Sequence, residues 1–274
     1  MPNTTVIADE PSLRKILKFI HEYKGLDLSS YRDNFIYRRL RLRMLSTKVK
    51  GPHEYIALLQ KNPDEYTLFL DALSINVTEF FRDPDVYEAF KKILLEELIT
   101  RKANADYKSL RLWSSACASG EEAYSLAILV KETLKEKNDL LVRIWATDID
   151  NGALGKAREA RYREQDLRKL PKEILNKYFT PLDNATYSLH EEIRQMVKFD
   201  QHNIFHTPPF KGLDVIFCRN IMIYLSRPQM SELFKKFYQM LNPKGYLVLG
   251  KVETLWERNL FSPVDLKAKI YQKS

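Results

Sequence analysis

Asp148 and Asp150, the Glu121-Glu122 pair, and the string Arg219-Asn220 with Tyr224 are polar residues that come soon after short apolar runs of this chain. Each run reads as a strand, so each polar group stands where a strand ends. In Ala146-Thr147-Asp148-Ile149-Asp150, a carboxylate at a strand end can accept hydrogen bonds from both hydroxyls of a ribose. The plainer reading is that such an acid caps the next helix. We assign Asp148 to the first role and Asp150 to the second. Ser115-Ala116-Cys117-Ala118-Ser119-Gly120 precedes Glu121-Glu122 with small side chains that let backbone approach a ligand. It lacks the G-x-G-x-x-G fingerprint of pyrophosphate binding, and its two acids favour a cationic ligand. An ordinary strand–helix turn, with acids at the positive end of a helix, fits equally well. Arg219 and Asn220 aim at a reacting centre, or Arg219 is structural and pairs with a helix C-terminus. The string Asn76-Val77-Thr78-Glu79-Phe80-Phe81-Arg82 is either a hinge or a clamp at a domain junction.

The elements that must position these residues fall into two textures. Up to about residue 75 the pattern is helical: residues 13–23 with Leu13, Ile16, Leu17 and Ile20 in register, capped by Ser12 and closed by Gly25. A second helix runs from Ser30 to Ser46, with Ile36, Tyr37, Leu40 and Met44 on one stripe and Arg32, Arg39 and Arg43 along a neighbouring face. Two more fit 53–60 and 63–73. A longer one begins at Pro84, with Asp83 as its N-cap. Beyond residue 107, strands at 110–116, 141–147, 197–200, 213–218, 246–250 and 266–272 alternate with helices at 121–135, 151–160 and 228–241. A turn is expected at Asn242-Pro243-Lys244-Gly245. Strand–helix alternation implies a doubly wound, mostly parallel sheet, in which ligands bind beyond the carboxyl ends of the strands. Residues 162–196 interrupt the rhythm and read as a small inserted subdomain. The expected division is 1–75 and 76–274.

Bulk properties narrow the function classes. The 274 residues suffice for two domains, and no run of about 18 apolar residues spans a membrane. Residues 1–11 lack a signal pattern. Two cysteines, Cys117 and Cys218, without paired Cys/His spacing, argue for a reducing compartment and against zinc. The net charge is +8, and the first 50 residues hold eleven Lys/Arg against five Asp/Glu, a difference of +6. That basic front end calls for an acidic partner: nucleic acid, anionic lipid or an acidic protein surface.

The strings at 76–82 with Asp83-Pro84, 113–125 (WSSACASGEEAYS), 146–150, 197–203, 214–224 (DVIFCRNIMIY) and 245–255 (GYLVLGKVETL) together resemble the chemotaxis receptor methyltransferases, the CheR type. The resemblance runs in order along nearly the whole chain. It implies an α/β fold: a small all-helical N-terminal domain, then a Rossmann-like class I methyltransferase sheet with a small inserted β-subdomain. It implies S-adenosylmethionine as cofactor, S-adenosylhomocysteine as product and no metal. It also implies cofactor contacts from Asn76, Thr78, Arg82, Glu122, Asp148, Asn203, Ile204, Arg219 and Asn220, and catalytic roles for Arg82 and Tyr224. The expected reaction is esterification of receptor glutamates in sensory adaptation. Arg32, Arg39 and Arg43 would dock Glu-rich receptor helices. A monomer in the cytoplasm, recruited to receptor arrays without membrane insertion or nucleic acid, completes the expectation. The chain departs from the family at Gly250-Lys251-Val252-Glu253-Thr254, where the usual string is G-H-S-E. Its short insertion resembles members that need no receptor tether peptide.

Two rival classes stand beside this. A nucleic-acid methyltransferase fits the pI near 9.2, but Thr207-Pro208-Pro209-Phe210 precedes the fourth strand and lacks the amide or acid of a base-methylating motif. A non-catalytic receptor-binding adaptor is opposed by the set Glu122, Asp148, Arg219, Asn220 and Tyr224.

Overall fold

The computed structural model describes residues 9–24, 28, 31–73, 78–103, 108–134 and 140–274. Gly25, Ser30 and Asn76, to which the sequence assigns roles, lie outside the described residues. The chain forms two compact units. One comprises Met1–Ile75 with Tyr224–Gln229, the other Asn76–Ile223 with Met230–Ser274.

In the first unit, α1 (Glu10–Lys24), α2 (Asp33–Ser46), α3 (Pro52–Lys61) and α4 (Pro63–Leu73) surround one core. Ile36, Tyr37, Leu40 and Met44 of α2 are buried as their spacing predicts, and α1 buries Leu13, Ile16, Phe19 and Ile20. The α1 cap is Asp9, not Ser12. The Asp9 carboxylate accepts the Ser12 N–H at 3.0 Å, and the helix starts two residues before Ser12. Arg43 of α2 turns inward, contrary to its expected place on an outward docking face. Its Nε donates to Glu65 Oε1 at 3.0 Å and its Nη2 to Oε2 at 2.5 Å, while the Tyr55 hydroxyl donates to the same carboxylate at 2.8 Å. Glu65 is buried, and a buried carboxylate demands a cation. The return segment joins this unit through the Tyr31–Leu225 bridge. There, Arg32 N–H donates to the Tyr224 carbonyl at 2.9 Å and Arg32 Nε to the Leu225 carbonyl at 2.9 Å.

The second unit starts with α5 (Pro84–Ile93), a π-helical turn (Leu94–Leu98) and α6 (Ile99–Ala103). Then come β1 (Ser109–Ser115), α7 (Glu121–Leu134), β2 (Leu141–Asp148), α8 (Asn151–Glu159), β6 (Val197–Gln201), β7 (Leu213–Cys218), α12 (Arg227–Met240), β8 (Leu241–Leu249), β9 (Phe261–Asp265) and β10 (Ile270–Lys273). Strand order is β6-β2-β1-β7-β8-β10-β9. The first five are mutually parallel, and β10 and β9 close one edge antiparallel. All of β7 is buried, as expected for a strand covered on both faces. Two readings of this sheet need correction. Asn242–Gly245 is no free turn but an irregular stretch within β8, opposite the register shift between Leu213 and Val215. The late strand is a hairpin whose first arm, β9, contains Pro263, which an edge strand tolerates and a sequence scan discounts.

Between α8 and β6, the chain inserts β3 (Arg161–Arg163), α9 (Glu164–Leu167), α10 (Lys172–Tyr178), β4 (Phe179–Leu182), β5 (Thr186–Leu189) and α11 (Glu191–Arg194). Its strands form a separate antiparallel sheet ordered β3-β5-β4. Among the described residues no helix is long and apolar enough to cross a membrane.

Candidate active site

From β1 the chain steps one way to β2 and the other way to β7, so the carboxyl ends of these strands flank a topological switch point. The turn after β1 is unusually bent: Ala116, Ala118 and Gly120 have φ of 56°, 47° and 93°. Gly120 is required, because a Cβ there would meet Ala157 Cβ at 2.9 Å and Phe199 Cζ at 3.1 Å. Asp148, at the end of β2, holds this turn. Its Oδ2 accepts the Ala118 N–H at 2.8 Å and its Oδ1 the Asp150 N–H at 2.9 Å. A carboxylate has about four acceptor positions, so Asp148 keeps capacity for further donors. Asp150 caps α8 by accepting the Ala153 N–H at 3.0 Å.

The two acids that open α7 do different things. Glu121 accepts from the Ser119 hydroxyl. Glu122 accepts from Ser114 Oγ at 2.7 Å and lies 3.6 Å from Arg219 Nη1. The other arm of Arg219, Nη2, reaches Asp83 Oδ2 at 2.5 Å. Asp83 therefore serves Arg219, and as the N-cap residue of α5 it makes no capping bond; its φ is 59°. The predicted cap is corrected for a physical reason: a buried guanidinium recruits the nearest carboxylates. Burial pushes the Glu122 carboxyl above its usual range, partly offset by the Arg219 and Arg82 charges and the Ser114 bond. Burial likewise raises Asp148 against its backbone hydrogen bonds. For Arg219, burial opposes the charge, but Glu122, Tyr87, Asp83 and Glu253 outweigh it and hold the guanidinium charged. The Cys117 thiol is driven up by burial and by Asp148, so it is no nucleophile.

The segment before α5 is pinned by its two phenylalanines. Phe80 packs edge-on to Tyr162 and Phe179 of the insertion, and Phe81 to Tyr87. Phe81 N–H also donates to Ser125 Oγ at 2.9 Å. Thr78 and Arg82 are partly buried on this segment. Beyond β6, Asn203 Oδ1 accepts the Phe205 N–H at 3.0 Å, Ile204 is buried, and the His202 N–H donates to the Asp148 carbonyl at 2.9 Å. Glu122, Asp148, Arg219 and Asn220 thus stand at the ends of the adjacent strands β2, β1 and β7, with Asn203 and Ile204 beyond the next. Tyr224 is grouped with residues 1–75 in the helical unit, where its ring lies 4.6 Å from that of Phe35.

One rim residue escaped the sequence reading. Glu253 follows β8, and its buried carboxylate accepts the Met222 N–H at 2.7 Å and the Gly250 N–H at 2.6 Å. The strand-end rule that singled out the other acids would have found it, had it been applied to the fifth parallel strand. The Thr207-Pro208-Pro209-Phe210 string serves packing: Phe210 is buried between Trp113 at 5.4 Å and Trp145 at 5.0 Å.

Residues 11–74 match the CheR methyltransferase all-alpha domain and residues 76–270 the CheR methyltransferase SAM-binding domain. The chain belongs to the CheR methyltransferase family. It is 33% identical over 258 residues to a chemotaxis protein methyltransferase of Borreliella burgdorferi, covering 92% of this chain and 90% of that protein. To the chemotaxis protein methyltransferase 2 of Vibrio cholerae it is 31% identical, covering 92% and 88%. The Pseudomonas aeruginosa chemotaxis protein methyltransferase 2 is 33% identical, covering 88% and 85%.

The rim fits the cofactor that this CheR domain implies. Arg219 Nε is buried with no hydrogen-bond partner among the described residues, a donor left over for a ligand's carboxylate. Glu122 offers a carboxylate suited to an ammonium, and Asp148 one suited to a diol.

Proposed function

We propose that this chain transfers the methyl group of S-adenosylmethionine to glutamate side chains on the cytoplasmic helices of chemotaxis receptors, the step that resets a receptor during sensory adaptation. The cluster of buried Arg219 with partly buried Glu122 and Asp83, beside Asp148, carries this reading. It supplies complementary charges and a diol acceptor where the strands end. The relatives' names add the chemotaxis context. When bound, the cofactor supplies an electrophilic methyl on a sulfonium.

The protein's own residues have a limited task. A glutamate has an ordinary pKa of about 4.3, so at neutral pH it is already an ionised nucleophile and needs no general base. That agrees with the rim's carboxylates and guanidinium; the His202 ring is turned to the His206 carbonyl at 3.1 Å. What is left is to exclude water and align two reactants, worth roughly 7–11 kcal/mol of barrier. In this proposal Asn76, Thr78, Asn203, Ile204 and Asn220 complete the cofactor contacts, Arg82 orients the substrate carboxylate and Tyr224 aligns the reacting groups. On the helical unit, Arg39, held 5.5 Å over the Phe35 ring, and exposed Arg38 meet the acidic receptor helix, with Arg32 at the start of α2.

The protein is incubated with methyl-tritiated cofactor and receptor cytoplasmic domains. Labelled receptor that releases volatile methanol in mild alkali is the expected result. Base-stable label, or label moving to RNA in competition, would replace this reading with N-methylation or nucleic-acid methylation. Arg82→Ala and Tyr224→Phe should each lower turnover at saturating cofactor, and full turnover in both removes their catalytic assignment.

A further inference from the structure

We propose that Glu253 is a positioning residue that sets the turn carrying Arg219 and Asn220 for cofactor binding. This rests on the cofactor reading above. The Glu253 side chain is 2% exposed, and its two oxygens are divided between two strands' ends. Oε1 accepts the N–H of Met222, beyond β7, and Oε2 accepts that of Gly250, beyond β8. The Glu253 N–H in turn donates to the Gly250 carbonyl at 2.9 Å, closing the turn from both sides. The clamp is tight. A Cβ on Gly250 would fall 2.8 Å from Glu253 Oε2 and 2.9 Å from Asn220 N. Asn220 itself sits at φ 62°, in the left-handed region that asparagine tolerates better than most side chains. Arg219, the preceding residue, owes its direction to the same backbone.

Only a carboxylate satisfies this arrangement, because both facing groups are donors. A carboxamide accepts from one N–H and turns its own NH2 toward the other. Glu253 is far too buried for water to substitute. Its chemistry is therefore geometric: it joins β7 to β8 where the rim is formed, without itself needing to touch a ligand.

The test uses the full chain, with S-adenosylhomocysteine titrated calorimetrically into the protein and Glu253→Gln, alongside melting temperature and amide exchange. Glu253→Gln should stay folded and bind S-adenosylhomocysteine about tenfold to a hundredfold more weakly, the scale of a small misplacement. Exchange should quicken in peptides covering 218–224 and 248–255 and stay unchanged in those covering the turn after β1. Under assay, turnover and cofactor KM should change while receptor KM holds. If Glu253→Gln does not fold, Gly250→Ala, which wedges the same contact, takes its place in every measurement. A folded variant with wild-type affinity overturns the proposal. So does failure of both variants to fold, which would make Glu253 a folding residue. Failure of the unaltered protein to bind S-adenosylhomocysteine sinks the cofactor reading itself, and this inference with it.

Discussion

At the scale of single residues, the rim is built from carboxylates that each serve two masters. Asp148 accepts two backbone N–H groups and keeps acceptor positions for a ligand. Asp148→Asn should therefore lose stability as well as affinity. An amide cannot accept from both Ala118 and Asp150, and one buried N–H left unpaired costs about 1–3 kcal/mol. The expected outcome is a lower melting temperature and loss of the S-adenosylhomocysteine shift; a variant that melts normally but fails to bind would show that Asp148 acts on ligand alone. The residue types at this rim were legible because each follows an apolar run. Their partners were not. Asp83 reads as a helix cap until Arg219, 136 positions away, claims its carboxylate.

At the scale of elements, helix periodicity located the buried stripe of α2 but did not distinguish Arg43, which pairs with Glu65, from its neighbours. Arg32, Arg39 and Arg43 lie close together on a helical projection, and only the arrival of Glu65 from α4 separates them. Arg43→Ala should strongly destabilise the helical unit, by about 3–5 kcal/mol, since it strands a buried carboxylate. Arg38→Glu, on the exposed face, should change stability by no more than about 0.5 kcal/mol while raising the receptor KM. Denaturant melts and receptor titrations of the two variants separate structural from docking charge; equal effects on both readouts would dismiss the distinction. The same limit explains β9. A proline argues against a strand wherever the neighbours are unknown, and only its place at the sheet edge makes it harmless.

At the scale of the whole molecule, burial of acids couples stability to pH. Burial raises the folded-state pKa values of Glu122, Asp148 and Glu253 above their unfolded values. The folded state then binds more protons, so these groups favour folding below the ordinary carboxylate range and lose that contribution as pH rises through their folded values. Lys251 acts oppositely through its ion pair: its hydrogen bond and charge lower Asp85, whose contribution is lost as pH falls. Glu122→Gln should accordingly flatten the melting-temperature profile just above the ordinary carboxylate range relative to wild type, because the neutral amide removes one raised site. An unchanged profile would show that Glu122 does not titrate there. Two kinds of information meet in this protein. Strand–helix alternation, the two textures of the chain and the motif strings follow from local order, because a helical or strand period is written into a few consecutive residues. These determined the fold class, the family and the line of strand ends where a ligand belongs. The tertiary structure alone decided that Arg43 is spent on Glu65, that Tyr224 packs on Phe35 in the helical unit, and that Glu253 ties β7 to β8. Each of those depends on which distant group arrives opposite a buried charge or ring, and desolvation, which sets that choice, has no signature in sequence spacing.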